Sequence, residues 1–374
     1  MTSRFQKGRP SHNYVGTGAR LAAAFVFCVG GVVGCARSDQ SLQVETAQPS
    51  EPPADLASGF GQAAAAGNDL VVLGDTWSPK ADSYQPFIRS VDGEWSLLPT
   101  LPLSGVFRIA SAGETVVLGG VACSEPKCQS GQLAFLMLSA DRFSWEELPS
   151  PDVKLSTETE MTTARSPQTY AYFEIGSSAY FVAPNGDVNA LPTGAQIESE
   201  GSFRCVAADT VVSVPYAAEP MSGTQGGPLQ PQTLVGEVMS FSFSDPDAGW
   251  TSAGAVPEGV ATSGGDLCEP DGLTIVGSGT ESHYSVPTRT WTSGPSNFED
   301  VVGNQIAFNT PGILASADSS TVFMATWDER VISRVGRGEW VDTGIAATWV
   351  YATKKSVLSF SPEVDKDVQV VWPR

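Results

Sequence analysis

Residues 106–151 read VFRIASAGETVVLGGVACSEPKCQSGQLAFLMLSADRFSWEELPSP, and the order of features in this stretch decides the fold. A small-residue run (RIASA) meets a Gly-Glu turn, and a β-branched run ending in Gly119-Gly120 follows it. A third run (QLAFLML) leads to an Asp turn, after which Trp145 opens a short segment closed by Leu148 and Pro149. Runs of four to eight apolar or alternating residues between Gly, Asp, Asn and Pro are strand signals, whereas a helix needs apolar spacing near 3.6 residues. No stretch after residue 36 sustains that helical spacing. The stretch therefore spells four consecutive strands, a to d, and the fold is all-β.

The same plan recurs on both sides. FGQAAAAGNDLVVLG (60–74), GSFRCVAADTVVSV (201–214) and ILASADSSTVFMA (313–325) repeat the small-residue strand, tight turn and β-branched strand. Small side chains suit innermost strands that converge on a central axis. Trp95, Trp250, Trp291 and Trp340 repeat the role of Trp145, and in DVNALP (187–192) Val188 stands where the tryptophan would be. From Trp95 to Trp340 there are 245 residues in five intervals, a mean of 49, the length of one four-stranded blade. Each tryptophan is read as a packing wedge between adjacent blades rather than a ligand group.

On these residues the chain resembles the kelch-like β-propeller repeat family. LSADRFSWEELPSP is similar to the family's strand c, Asp turn, Trp and Leu-Pro close, and Gly119-Gly120 to its glycine doublet. The resemblance covers about residues 60–374, although one unit alone keeps the doublet and the third lacks its Trp. It implies a propeller, and by family analogy a ligand site at one mouth of the central channel. The d-strand positions number six, and residues 347–374 supply three more strands without a fourth. A strand at 41–47 completes that last sheet in a seven-bladed ring, with no free edge left; six blades with a C-terminal appendage are the alternative.

The N-terminus is a processing segment. Residues 1–20 carry Arg4, Lys7, Arg9 and Arg20 and no acid, and residues 21–33 (LAAAFVFCVGGVV) are an uncharged apolar run. These are the n- and h-regions of a secretory signal, and the run is too short to span a bilayer as a helix. Val32-Val33-Gly34-Cys35 resembles the lipobox of bacterial lipoproteins. That implies cleavage after residue 34, a diacylglycerol thioether on Cys35 and a tether over 35–58, with the propeller at 59–374. The expected location is the outer face of the bacterial cytoplasmic membrane.

Charge narrows the partners. The chain holds 21 basic and 41 acidic residues. Four of the basic residues lie in the signal, which leaves 17 against 41, a net charge of −24. Such a surface does not grip nucleic acid, and it binds an anionic membrane only through a lipid. The partners left are a glycan, a peptide or an envelope protein.

Four cysteines lie beyond the lipobox: Cys123, Cys128, Cys205 and Cys268. An even number in an exported chain reads as two disulfides. Three connectivities are possible; the favoured one has Cys123–Cys128 closing a short turn, from which Cys205–Cys268 follows by elimination. No cofactor and no metal is expected, because His283 is the one histidine outside the signal and sits in an alternating strand pattern as a surface or wedge residue. A kelch-class copper-radical oxidase needs histidine ligands this chain lacks. SVDGEW (90–95) is one compressed match to the sialidase box, without an assignable arginine triad or Tyr–carboxylate pair. Glu146 and Glu147 alternate faces of a strand and cannot converge.

Candidate ligand groups are Gln62, Arg108 and Arg204, which take equivalent positions where innermost strands begin at the mouth. Their forked donors suit a carboxylate, sulfate or sugar acid, or else an acidic neighbour on the next blade. Trp77, Trp327 and Trp349 form a candidate aromatic platform, and the Gly-, Pro- and Gln-rich loop 215–234 a candidate binding loop. The expected function is a non-catalytic binding or scaffolding module, with a glycan-active hydrolase or lyase as the alternative.

Overall fold

The computed structural model describes residues 45–46, 60–74, 85–124, 129–164, 168–192, 202–217, 232–262, 265–277, 279–302, 312–314, 321–326, 328–347, 349–354, 356–361 and 364–371. Six consecutive antiparallel meanders of four strands account for most of them. Blade 1 is Phe60–Ala66, Asp69–Gly74, Pro86–Arg89 and Trp95–Leu97; blade 2 is Ser104–Ala112, Thr115–Cys123, Ser130–Leu138 and Trp145–Leu148. Blade 3 is Met161–Thr163, Ala171–Ile175, Ser178–Val182 and Val188–Ala190; blade 4 is Ser202–Ala207, Thr210–Pro215, Glu237–Ser242 and Thr251–Ala255. Blade 5 is Gly265–Glu269, Gly272–Gly277, Thr280–Ser285 and Thr290–Pro295; blade 6 is Gly312–Leu314, Thr321–Ala325, Arg330–Val335 and Val341–Ala346. The architecture is a β-propeller. Each aromatic of the repeat, or Val188 in its place, stands within one residue of a fourth strand.

Successive first strands lie side by side: Phe60–Ala66 against Ser104–Ala112, and Ser202–Ala207 against Gly265–Glu269, which in turn lies against Gly312–Leu314. A further sheet holds Trp349–Ala352, Ser356–Ser361 and Val364–Val371. Its first strand packs against the first strands of blades 6 and 1. Glu45–Thr46 pairs antiparallel with its last strand, Glu45 opposite Val371 and Thr46 opposite Val370. The two ends of the propeller segment thus share one sheet.

The core is a series of layers between neighbouring blades rather than one central mass. Val71, Leu73 and Ile88 of blade 1 pack with Phe107, Ile109, Leu118, Leu136 and Trp145 of blade 2. Phe135 and Met137 of blade 2 pack with Phe173 and Tyr180 of blade 3. The glycine doublet makes these layers close. A Cβ on Gly119 would stand 2.7 Å from the Phe135 ring and 2.8 Å from that of Phe173, and one on Gly120 would stand 2.1 Å from the Val106 carbonyl oxygen. Among the described residues the helical elements are the one-turn helix Phe298–Val302 and the 3-10 turn Pro246–Ala248. The latter falls in the Asp-rich SDPDAG segment, whose Ser244 hydroxyl donates to Asp209 at 2.6 Å.

Candidate functional site

The repeated tryptophan and the Leu-Pro close are, in two joints, halves of one interaction. Trp145 Nε1 of blade 2 donates to the carbonyl of Pro99 at 2.8 Å, and Trp250 Nε1 of blade 4 donates to that of Pro192 at 2.9 Å. Pro99 and Pro192 are the Leu-Pro closes of blades 1 and 3. A buried indole N–H needs an acceptor, and the close of the preceding blade supplies it. Trp291 departs from this rule: its Nε1 has no hydrogen-bond partner, and its ring packs on Tyr284 at 5.4 Å. The Tyr284 hydroxyl donates instead to the blade 4 carbonyl of Ala253 at 2.8 Å.

Gln62, Arg108 and Arg204 are also engaged in joints. The Gln62 amide brackets Arg108, donating to Phe107 O at 3.2 Å and accepting from Ile109 N at 3.2 Å. Arg108 Nε donates forward to Met161 O of blade 3 at 3.2 Å. Arg204 reaches backward, pairing with Glu174 of blade 3 at 2.8 Å. The three positions are therefore not equivalent, contrary to the sequence alignment. Gln62 and Arg108 stand four residues before the ends of their strands at Ala66 and Ala112, whereas Arg204 stands three before Ala207. A one-residue offset turns a strand side chain to the opposite face.

Both arginines converge on blade 3, where Met161 and Thr162 lie opposite Ile175 and Glu174. Glu174 also accepts from the Tyr172 hydroxyl at 2.6 Å and from Thr162 Oγ1 at 3.3 Å. Burial pushes the Tyr172 phenol well above its ordinary range, and the negative charge of Glu174 pushes the same way. Burial alone would lower Arg204; the Glu174 bond and charge outweigh it and keep the guanidinium cationic. The group is thus a Tyr–carboxylate–Arg cluster, an arrangement that sequence reading left unassigned.

A second charged cluster lies between blades 5 and 6, and nothing in the periodicity announced it. Arg334, 1% exposed on the third strand of blade 6, pairs with Glu269 and Glu281 of blade 5. Its guanidinium carbon stands 5.0 Å over the Trp340 ring, whose Nε1 donates to Glu281 at 2.5 Å. Arg337 reaches Glu269 at 3.0 Å and Asp271 at 3.6 Å. His283, a buried wedge rather than a surface histidine, meets Thr274 Oγ1 through Nδ1 at 2.9 Å. The imidazole of His283, whose Nε2 stands 3.5 Å from Oδ2, and then the guanidinium of Arg337 hold the Asp271 carboxyl below the usual range against the opposing effect of burial.

Cys205 and Cys268 form a disulfide with 5.1 Å between Cα atoms, stapling the first strand of blade 4 to that of blade 5. Cys123 is also disulfide-bonded. Its expected partner Cys128 lies outside the described residues, as do Cys35, Trp77, Trp327 and loop residues 218–231. The loop's ends are held by the bridge Tyr216–Leu234 and by Gln232–Thr233 pairing with Ala261–Thr262. Trp349 opens the strand Trp349–Ala352.

No family model and no curated protein matches the sequence. Among solved structures, virginiamycin B lyase from Staphylococcus aureus is similar at 10% identity and a TM-score of 0.49, over 89% of this chain and 100% of that one. BamB from Moraxella catarrhalis is similar at 9% identity and a TM-score of 0.41, with the same coverage. Puromycin hydrolase is similar at 13% identity and a TM-score of 0.46, over 84% of this chain and 53% of that one.

Proposed function

We propose that this protein is a lipid-anchored, extracytoplasmic propeller of the kelch-like kind, closed to seven blades by Glu45–Thr46, that serves as a binding or scaffolding module of a bacterial cell envelope. The observation that carries the reading is Val32-Val33-Gly34-Cys35 directly after a 13-residue apolar run, ahead of a propeller whose charge is strongly negative. A lipid supplies the membrane attachment that such a surface does not. Supporting the scaffold role, Gln62, Arg108 and Arg204 are tied into neighbouring blades, which stiffens the rim of the channel.

Cys35→Ser tests the anchor: the variant should leave the membrane fraction and lose the mass of the acylated form. Retention in the membrane at unchanged mass would remove the lipid from the reading. The binding role is tested on a glycan and peptidoglycan-fragment array with Arg108→Ala, Arg204→Ala and Trp77→Ala alongside. A hit lost in one variant places the ligand at the channel mouth; silence across the array turns the search to envelope proteins by pull-down.

The Tyr172–Glu174–Arg204 cluster favours one second reading, a glycan-active hydrolase or lyase that uses a carboxylate flanked by a phenol and a guanidinium. Turnover on a glycan panel, abolished in a folded Glu174→Gln variant, would establish it. A panel without turnover counts against it.

A further inference from the structure

At the joint of blades 5 and 6 the fixed charges do not balance. Glu269, Asp271 and Glu281 face two guanidinium groups, Arg334 and Arg337. Arg334 is buried and committed to Glu269 Oε1 and Glu281 Oε2. The other side of the cluster is built differently. Ligand atoms of Glu269, Asp271 and His283 lie within 4.8 Å of one another, the one such group of three found among the described residues. The His283 ring is 5% exposed, and its Nε2 is buried without a hydrogen-bond partner, 3.5 Å from Asp271 Oδ2. A buried polar atom left unpaired is a standing cost that a bound ligand removes.

The cation nearest these groups is Arg337, whose side chain is 42% exposed and spans Glu269 Oε2 and Asp271 Oδ2. A half-exposed guanidinium gives up such contacts for water at little cost. We propose that a divalent cation of the zinc class takes the place of Arg337, held by the carboxylates of Glu269 and Asp271 and the imidazole of His283. One nitrogen and two oxygens suit Zn²⁺ and its borderline relatives, and three protein ligands leave a further position for water. Bonds of about 2.0–2.2 Å require the ligands to draw inward. Asp271 sits half-exposed in the turn between the first two strands of blade 5, where it is free to follow. With Nε2 on the ion, Nδ1 carries the ring proton and donates it to Thr274 Oγ1, whose own hydroxyl donates to Glu269 Oε2, so Thr274 orients the ring from behind as a partner on the second imidazole nitrogen does in metal sites. The ion would cancel the excess negative charge and pin the first turn of blade 5 to its third strand.

The test uses the full chain, stripped with chelator and titrated with CoCl₂, followed by visible absorption, and with ZnCl₂, followed by calorimetry. The expected result is saturable binding of one equivalent. Asp271→Asn should weaken it at least about tenfold, and Arg337→Ala, which removes the competing cation, should tighten it by roughly tenfold. His12→Gln should change nothing, and a folded His283→Gln should not bind. Asp271 and Arg337 are partly exposed, so their variants keep the test decisive if His283→Gln misfolds. The proposal is overturned by weak binding of many equivalents, by affinity indifferent to Asp271→Asn, or by Arg337→Ala that fails to tighten it.

Discussion

The joint between blades 1 and 2 and the joint between blades 5 and 6 occupy the same place in the repeat and are made from different chemistry. The first is an apolar layer of Leu73, Ile88, Phe107, Leu118, Leu136 and Trp145, with the indole bonded to a main-chain carbonyl. The second has a smaller apolar layer around Phe298, Val322, Ile332 and Trp340, and the indole is bonded to the carboxylate of Glu281. That carboxylate brings with it Arg334, Glu269 and Arg337. Both joints thus fill the wedge and satisfy the indole N–H, one with a main-chain carbonyl and the other with a carboxylate. Of the two, the ionic joint alone brings carboxylates and an imidazole together.

The largest way to break this contrast is at Arg334. Arg334→Ala leaves Glu281 without its cation and Glu269 with the half-exposed Arg337 alone, and is expected to cost about 3–5 kcal/mol, read from urea unfolding. Replacing Arg334, Glu269 and Glu281 together with apolar residues of matched volume should cost less than that single change, which would show that the penalty is the stranded charge. In the apolar joint, Leu118→Ala removes a fully buried side chain and should cost about 3 kcal/mol by the same measurement.

A third test compares the joint of blades 3 and 4 across pH. Below about pH 10, Tyr172 is protonated in both the folded and the unfolded chain, and its contribution is complete. Above that, the unfolded chain alone releases the proton, because the folded pKa is raised; stability should fall by up to about 1.4 kcal/mol per pH unit. Tyr172→Phe should flatten this slope in unfolding curves taken between pH 8 and 11, and an unchanged slope would contradict the assignment. The smallest effect is expected at Trp145→Phe, which keeps an aromatic wedge but deletes the bond to Pro99, at about 1 kcal/mol. The matching Trp340→Phe should exceed it, since it deprives a charged acceptor.

The Trp and Leu-Pro signals were both legible as periodic features, yet their bond across the joint was not, because Trp145 and Pro99 are 46 residues apart and belong to different units. Arg108 and Arg204 read as equivalent in the sequence, but their positions differ by one step of register. In a strand that step reverses the face, and it sends Arg108 forward and Arg204 back onto blade 3. His283 looked like any polar residue in an alternating strand. Its neighbours Glu269, Asp271 and Thr274 come from the two preceding strands and their turn, and Arg334 and Arg337 from the next blade.

The amino-acid sequence alone determined the all-β class, the blade length and the wedge role of the tryptophans, since each rests on local periodicity or composition that a linear chain displays. The Cys205–Cys268 staple followed by elimination among four cysteines. Tertiary structure alone decided which acceptors Trp145, Trp250 and Trp340 meet, which way Arg108 and Arg204 turn, and that an isolated histidine joins a charged cluster. Those outcomes depend on register and on pairings between blades, where one residue of offset or one neighbouring strand changes the partner while leaving the repeat intact.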